Sequence, residues 1–168
     1  MIDLTDLEKK INSELTTKIN KTKIKHNQLF IEISMEDLID VSLFLKTNEN
    51  FKFRQLIDIT VVDYPENSQR FKIVYIFLSH ELNQRLIVNS FINENEVIST
   101  LTSIFPSANW MEREVFDMYG VKFKDHPDLR RILTDYNFEG YPLRKDFPLT
   151  GHTEVRYNES EKKVIIEP

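Results

Sequence analysis

Three β-rich runs separated only by short polar breaks constrain this chain more than any other feature. Residues 53–64, 71–78 and 86–91 are dense in β-branched and aromatic side chains, which suit a pleated, half-buried surface. The breaks are Pro65-Glu66-Asn67-Ser68-Gln69 and Ser79-His80-Glu81-Leu82-Asn83-Gln84. A parallel connection needs about a dozen residues or more, so breaks this short predict an antiparallel meander.

Helical stripes flank these runs. Leu4, Leu7, Ile11 and Leu15 fall on one face of a first helix. Leu29, Ile31 and Ile33 alternate with Gln28, Phe30 and Glu32 and predict a strand. Ser34 is placed as the cap of a second helix, with Asp37 in its first turn and Met35, Leu38, Ile39 and Leu43 as its stripe. Val97, Leu101, Ile104 and Phe105 predict a third helix, stopped by Pro106. Helices laid on an antiparallel sheet make an α+β domain.

A fourth helix is expected over 109–119. Asn109 and Glu112 have capping-box spacing, and Gly120 suits the helix end. Its charged face carries Glu112, Arg113, Glu114 and Asp117. Arg113 can pair with Asp117 at i,i+4, and Glu114 and Asp117 share a face. Two carboxylates could do acid–base work, but no nucleophile or glycine loop accompanies them, so a salt-bridged face is the stronger reading. His126-Pro127 reads as the start of a further short helix.

Composition changes beyond residue 119. All three glycines, Gly120, Gly140 and Gly151, lie there, with Pro127, Pro142 and Pro148 among them. These residues route chain rather than build regular elements. The compact α+β domain is therefore drawn as 1–119 and the remainder, 120–168, as a long irregular C-terminal arm. Irregular runs beyond ~12–15 residues are usually functional or disordered, and disorder needs low hydrophobicity. This run holds Tyr136, Phe138, Tyr141, Leu143, Phe147, Leu149, Val155 and Tyr157. Aromatic residues and Arg are enriched at interface hot spots. The arm is thus expected to wrap a protein partner, anchored by Phe138, Tyr141, Arg144, Phe147, Arg156 and Tyr157. Arg144 should pair with a carboxylate, Asp146 or one on the partner. A phosphate site at Arg144-Lys145 lacks the glycine-rich loop that would cradle it.

Other functions are limited by what the chain contains. There is no cysteine, which removes disulfides, thiol nucleophiles and cysteine-held iron–sulfur clusters from this chain. His126, His152 and Glu154 lack metal-ligand spacing, so no metal and no catalytic residue is expected. The formal charge of −5 argues against nucleic acid. No run approaches the ~20 apolar residues of a membrane span. The opening residues, with Asp3, Asp6 and Glu8 and no Arg, do not resemble a transit peptide.

A longer pattern resembles a known family. Glu112-Arg113-Glu114, Asp117-Met118-Tyr119, His126, Arg130 and Ile132-Leu133 stand at the spacing of a hydrophilic peripheral-arm subunit of respiratory complex I. It is the C-type subunit of bacterial NADH:quinone oxidoreductase, known in mitochondria as NADH dehydrogenase subunit 9 or the 30 kDa subunit. Pro142-Leu143-Arg144-Lys145-Asp146-Phe147-Pro148-Leu149, Glu154-Val155-Arg156-Tyr157, Gln55-Leu56-Ile57-Asp58 and Val62-Asp63-Tyr64 look similar too. Related hydrogenases contain a comparable domain. The resemblance implies a subunit without a redox centre, with FMN, iron–sulfur clusters and quinone held elsewhere in a hetero-oligomer. Its chief partner would be the quinone-site, 49 kDa-type subunit. Its place would be the matrix side of the mitochondrial inner membrane or, alternatively, the cytoplasmic face of a bacterial one.

Overall fold

The computed structural model describes residues 3–135, 137–152 and 154–167. Helix α1 (Leu4–Glu14) buries Leu4, Leu7 and Ile11 on one stripe, as their spacing requires. Strand β1 (Ile19–Lys25) follows and turns back into β2 (Gln28–Ile33). The two residues between them, His26 and Asn27, both have positive φ, the backbone that lets a two-residue turn match strand twist. β1 was not legible in the sequence. Its Asn-Lys-Thr-Lys stretch buries no side chain fully, so it shows no apolar alternation.

The second helix, α2 (Leu38–Thr47), enters through a 3₁₀ turn at Met35–Asp37. Ser34 precedes that turn without making a side-chain cap bond. The buried stripe of α2 is Leu38, Val41, Ser42 and Leu45, which leaves Leu43, expected in the core, half-exposed.

Strands β3 (Gln55–Asp63), β4 (Phe71–Ser79) and β5 (Gln84–Ile92) form the expected antiparallel meander. The five-stranded sheet runs β1-β2-β5-β4-β3. The mostly antiparallel sheet includes one parallel pair, β2 with β5. The helices pack on the face that carries Leu29, Ile31, Phe71, Ile73, Tyr75, Phe77, Leu86 and Val88.

The helix expected around Val97 does not form. Val97–Ser99 is a short strand, β6, paired in parallel with β7 (Lys122–Lys124). The extended Val-Ile-Ser run finds a strand partner just beyond the next helix, and pairing there outweighs the helical spacing of its apolar residues. Leu101, Ile104 and Phe105 still join the core, from turns. Pairing of β7, with Val121 and Phe123 buried, carries the compact fold past the boundary drawn at Tyr119.

Helix α3 (Ala108–Tyr119) ends at Gly120, whose φ is 79°. A Cβ there would lie 2.6 Å from the Tyr141 ring and 2.8 Å from an Arg144 guanidinium nitrogen. Gly120→Ala should therefore both strain the helix end, by about 1 kcal/mol, and push residues 141–144 off α3. The expected result is a melting temperature several degrees below wild type, with amide exchange in 141–147 faster than in the rest of the fold. Unchanged protection there would separate the glycine from the arm.

Candidate functional site: a clamped C-terminal arm

α3 grips the segment after it through both backbone polarities. Arg113 Nε donates to the Arg130 carbonyl at 3.1 Å, and a second guanidinium nitrogen donates to the Arg131 carbonyl at 3.5 Å. One turn later, Asp117 accepts from the backbone N–H groups of Ile132, Leu133 and Thr134 at 2.9, 2.7 and 3.0 Å. It also accepts from the Thr134 hydroxyl and from Arg131. Burial pushes the Asp117 pKa up, but the hydrogen bonds from Leu133, Thr134 and Ile132 outweigh it and hold the group below the usual carboxylate range. The expected Arg113–Asp117 pair is not made, because each side chain is committed to the backbone of residues 130–134.

Asp117 is fully buried whereas Glu114 is exposed, so the two carboxylates do not converge as an acid–base pair. Glu112 does not cap α3: Asn109 lies inside the helix. The Glu112 carboxylate instead turns into the core, accepting from the Leu101 N–H at 2.7 Å and from the Thr100 hydroxyl. Burial raises its pKa to about 7 against these bonds. His126, expected to start a helix, sits in a turn. Its Nδ1 accepts from the Asp128 N–H at 3.0 Å while Nε2 lies 3.0 Å from the Asn109 carbonyl. With Nδ1 accepting, Nε2 carries the proton and donates to Asn109. Nδ1 thus shapes the turn itself while Nε2 pins it to α3. Arg130 pairs with the same Asp128 at the surface.

A second clamp holds the middle of the arm. The buried Asp63, at the end of β3, takes a two-pronged contact from Arg70, 2.8 Å to Nε and 3.0 Å to Nη2. It also accepts from the backbone N–H of Lys145 at 2.8 Å. The Arg70 guanidinium, joined by the Lys145 N–H, holds Asp63 below the usual carboxylate range. Arg70 reaches on to Glu94 at 3.2 Å and Asp146 at 2.9 Å. Arg144 donates from Nε to the Tyr119 carbonyl at 2.6 Å and from Nη1 to Glu94 at 2.6 Å. The Leu143 N–H donates to the Met118 carbonyl. Helix C-termini leave carbonyls without partners inside the helix; here the arm supplies the donors, one of them cationic, where the helix dipole favours a cation.

The anchors expected to reach a partner are largely used inside the chain. Arg144 pairs with Glu94 rather than Asp146 and packs over the Tyr141 ring, 4.4 Å from its centroid. Phe138 packs on Phe147 at 5.8 Å between centroids, and Phe147 meets the His152 ring edge-on at 5.4 Å. Phe138, Tyr141, Arg144 and Phe147 are all half-buried by their own fold. Tyr136 lies outside the described residues. His152 meets Phe147 edge-on and Glu154 opens a strand, while His126 is spent on its own turn and α3. Among the described residues no group of three or more His, Asp or Glu side chains is placed to hold a metal.

The arm's last part is not irregular. β8 (Glu154–Asn158) and β9 (Lys163–Glu167) form an antiparallel hairpin. Val155 stands opposite Ile166 and Tyr157 opposite Val164. Cross-strand partners and alternate residues share a face, so these four side chains make one apolar patch. Val155, Ile166, Tyr157 and Val164 remain 56%, 61%, 50% and 61% exposed respectively. On the other face Arg156 pairs with Glu167 at 2.8 Å. Leu133, Leu143 and Leu149 are also exposed along the arm. Sequence reading missed this hairpin because it lacks the glycine or proline that marks such a turn; Lys162 supplies the positive φ.

The model of the respiratory-chain NADH dehydrogenase 30 kDa subunit family matches residues 31–153, a span that takes in the meander, α3 and both clamps. This chain belongs to that family. The C-type subunit of the NADH-quinone oxidoreductase of Dinoroseobacter shibae is 54% identical over 147 residues, covering 88% of this chain and 68% of that protein. Its counterpart in Hyphomonas neptunium is 47% identical over 165 residues, covering 98% and 82%. Among solved structures, a chain of the membrane-bound sulfane sulfur reductase, an archaeal respiratory membrane complex, superposes with a TM-score of 0.74 at 23% identity, covering 96% of this chain and 98% of that one. The trypsin-resistant fragment of Nqo5 superposes at 0.61 and 23% identity, covering 76% and 100%. At that identity the two structures speak for the α+β fold alone. The bacterial relatives weigh against a specifically mitochondrial origin.

Proposed function

We propose that this chain is a structural subunit of the peripheral arm of a proton-pumping NADH:quinone oxidoreductase, and that its clamped arm docks on the neighbouring subunit that forms the quinone pocket. It carries no catalytic residue and no cofactor of its own; FMN, iron–sulfur clusters and quinone belong to other subunits. The complex is membrane-associated, and no helix among the described residues is long and apolar enough to cross a membrane. The subunit would sit on the side that faces the bacterial cytoplasm or, in a mitochondrion, the matrix.

The observation that carries this reading is the apolar face of the β8–β9 hairpin. An exposed two-stranded hairpin with an apolar face is marginal alone in water, and contiguous apolar patches mark interaction sites. The clamps at Asp117 and Asp63 fix the arm's root, so little order remains to be gained on docking. A place in a membrane-bound hydrogenase is the second reading; the high identity to NADH-quinone oxidoreductase subunits favours the first.

Val155→Lys with Ile166→Lys tests it. Central interface anchors contribute ~2 kcal/mol or more each, so incorporation into the complex should fall by at least about thirtyfold. The isolated subunit should melt within a few degrees of wild type, because both side chains are more than half exposed and only line the open cleft beside Phe138 and Phe147. Normal incorporation would remove the hairpin from the interface. Normal incorporation with abolished NADH:quinone turnover would place chemistry in this chain.

A further inference from the structure

The sheet face opposite the helices holds a groove of about 320 Å³. Its floor is the ring of Phe30 and the strand around Asn89; its walls carry Lys21, Lys23, Lys25 and Lys72. Lys21, Lys23 and Lys25 alternate along β1 and so share this face. Their register partners on β2 are Glu32, Phe30 and Gln28. None of the four lysines has an ion-pair partner among the described residues; Lys72 meets only the Phe91 ring, 5.9 Å from its centroid. Four cations around one carboxylate, Glu32, stand out in a chain whose formal charge is −5. Lysines on an edge strand can simply discourage strand pairing, but that account leaves Lys72 on an inner strand unexplained. It also leaves a second observation. Asn89 is only 6% exposed, and its side-chain oxygen is buried without a partner among the described residues. Unsatisfied buried acceptors are rare in folded proteins and call for a donor. Phe30, Val74, Ile76 and Phe91 extend the same face with half-buried apolar surface.

We propose that this groove is a second docking surface, distinct from the arm, which takes an acidic amphipathic segment of another protein chain in the assembled complex. The apolar side of that segment lies on Phe30 and Ile76, its carboxylates meet Lys21, Lys23, Lys25 and Lys72, and a donor from it reaches Asn89. Charge complementarity selects the occupant. A basic partner would meet four uncompensated cations, and like charges set against each other are strongly disfavoured at interfaces.

The test uses the purified complex with Phe30 replaced by the photo-crosslinking residue benzoylphenylalanine. Irradiation should join this position to one defined peptide of a different subunit, with Asp and Glu exceeding Lys and Arg in that peptide. Yield should fall about tenfold or more between low and high salt, as a charge-selected contact requires. It should fall similarly when Lys21→Glu, Lys23→Glu and Lys25→Glu are introduced together. If that triple variant does not assemble, Lys21→Gln with Lys23→Gln serves, and the salt titration needs no substitution of lysine. Absence of an inter-subunit adduct would overturn the proposal, as would an adduct to a neutral or basic peptide, or to lipid. A yield indifferent to both salt and charge would do so as well. Because the hairpin is untouched, failure here leaves the arm reading standing, and failure of the hairpin variant leaves this one testable in whatever complex the subunit enters.

Discussion

Asp117→Ala should give a subunit that is severely destabilised and does not assemble. The substitution removes the acceptor of three backbone N–H groups, a hydroxyl and Arg131 at once. Removing one partner of a buried charged set typically costs ~3–5 kcal/mol, a large part of the roughly 5–15 kcal/mol that holds an average domain folded. Asp117→Asn should be milder, since one amide oxygen can still accept, and its acid response should differ too. The folded-state pKa of Asp117 is lowered from 3.8. The stabilisation it gives is therefore present above the unfolded-state value and is lost as pH falls through the folded one. Denaturant midpoints at about pH 7 and near pH 3 check both parts. Wild type should lose more than the Asn variant between those pH values, and an equal loss would show that the carboxylate's charge is not what holds the arm.

Glu112 should give the opposite pH signature. Its pKa is raised from 4.5 to about 7 by burial, so the folded state prefers the protonated acid. That contribution is complete below 4.5 and is lost as pH rises through about 7. At ~1.4 kcal/mol per pKa unit the loss is on the order of 3 kcal/mol. Glu112→Gln can keep both hydrogen bonds: its oxygen accepts from the Leu101 N–H and its amide can donate to Thr100. The expected result is a melting temperature that falls between about pH 5 and pH 8 in the wild type and stays level in the Gln variant. Parallel curves would mean that another group sets the slope.

Much of the fold was legible because burial wrote itself into period. The alternation of Leu29, Ile31 and Ile33 with Gln28, Phe30 and Glu32 is the burial pattern of β2 residue by residue, and α1 buries three of the four residues named for its stripe within its helical span. The failures share a physical cause: a distant partner decided the conformation. Val97 to Phe105 has helical spacing, yet β7 lies beyond the next helix and takes residues 97–99 as a strand. β1 carries no core stripe and owes its state to pairing with β2. In the arm, the sequence showed aromatic residues in need of burial but not the surface that would bury them. Gly120 and Gly140 leave room for the Tyr141 and Phe147 rings, respectively, against the chain's own backbone. The carboxylates that organise the site were visible as residue types, and Asp117 was singled out. The geometry of its donors was not visible, because several donors converging on one side chain is a property of the folded loop. Asp63 stood out only within a family-like motif; its position at the end of a strand gave no sign that it would meet Lys145.

The bond from Lys145 to Asp63 joins residues 82 positions apart. Chains are synthesised from the N-terminus, and early segments fold first. The meander, with its own local hairpins, can form and bring Arg70 to Asp63 while the arm is still unmade. The second clamp then waits for residue 145 to leave the ribosome, so the arm is the last part of the fold to be fastened in place. A nascent chain that stops short of residue 145 thus carries a finished sheet but no fastened arm. Order of synthesis therefore sets the order of folding, with the sheet first and the fastened arm last.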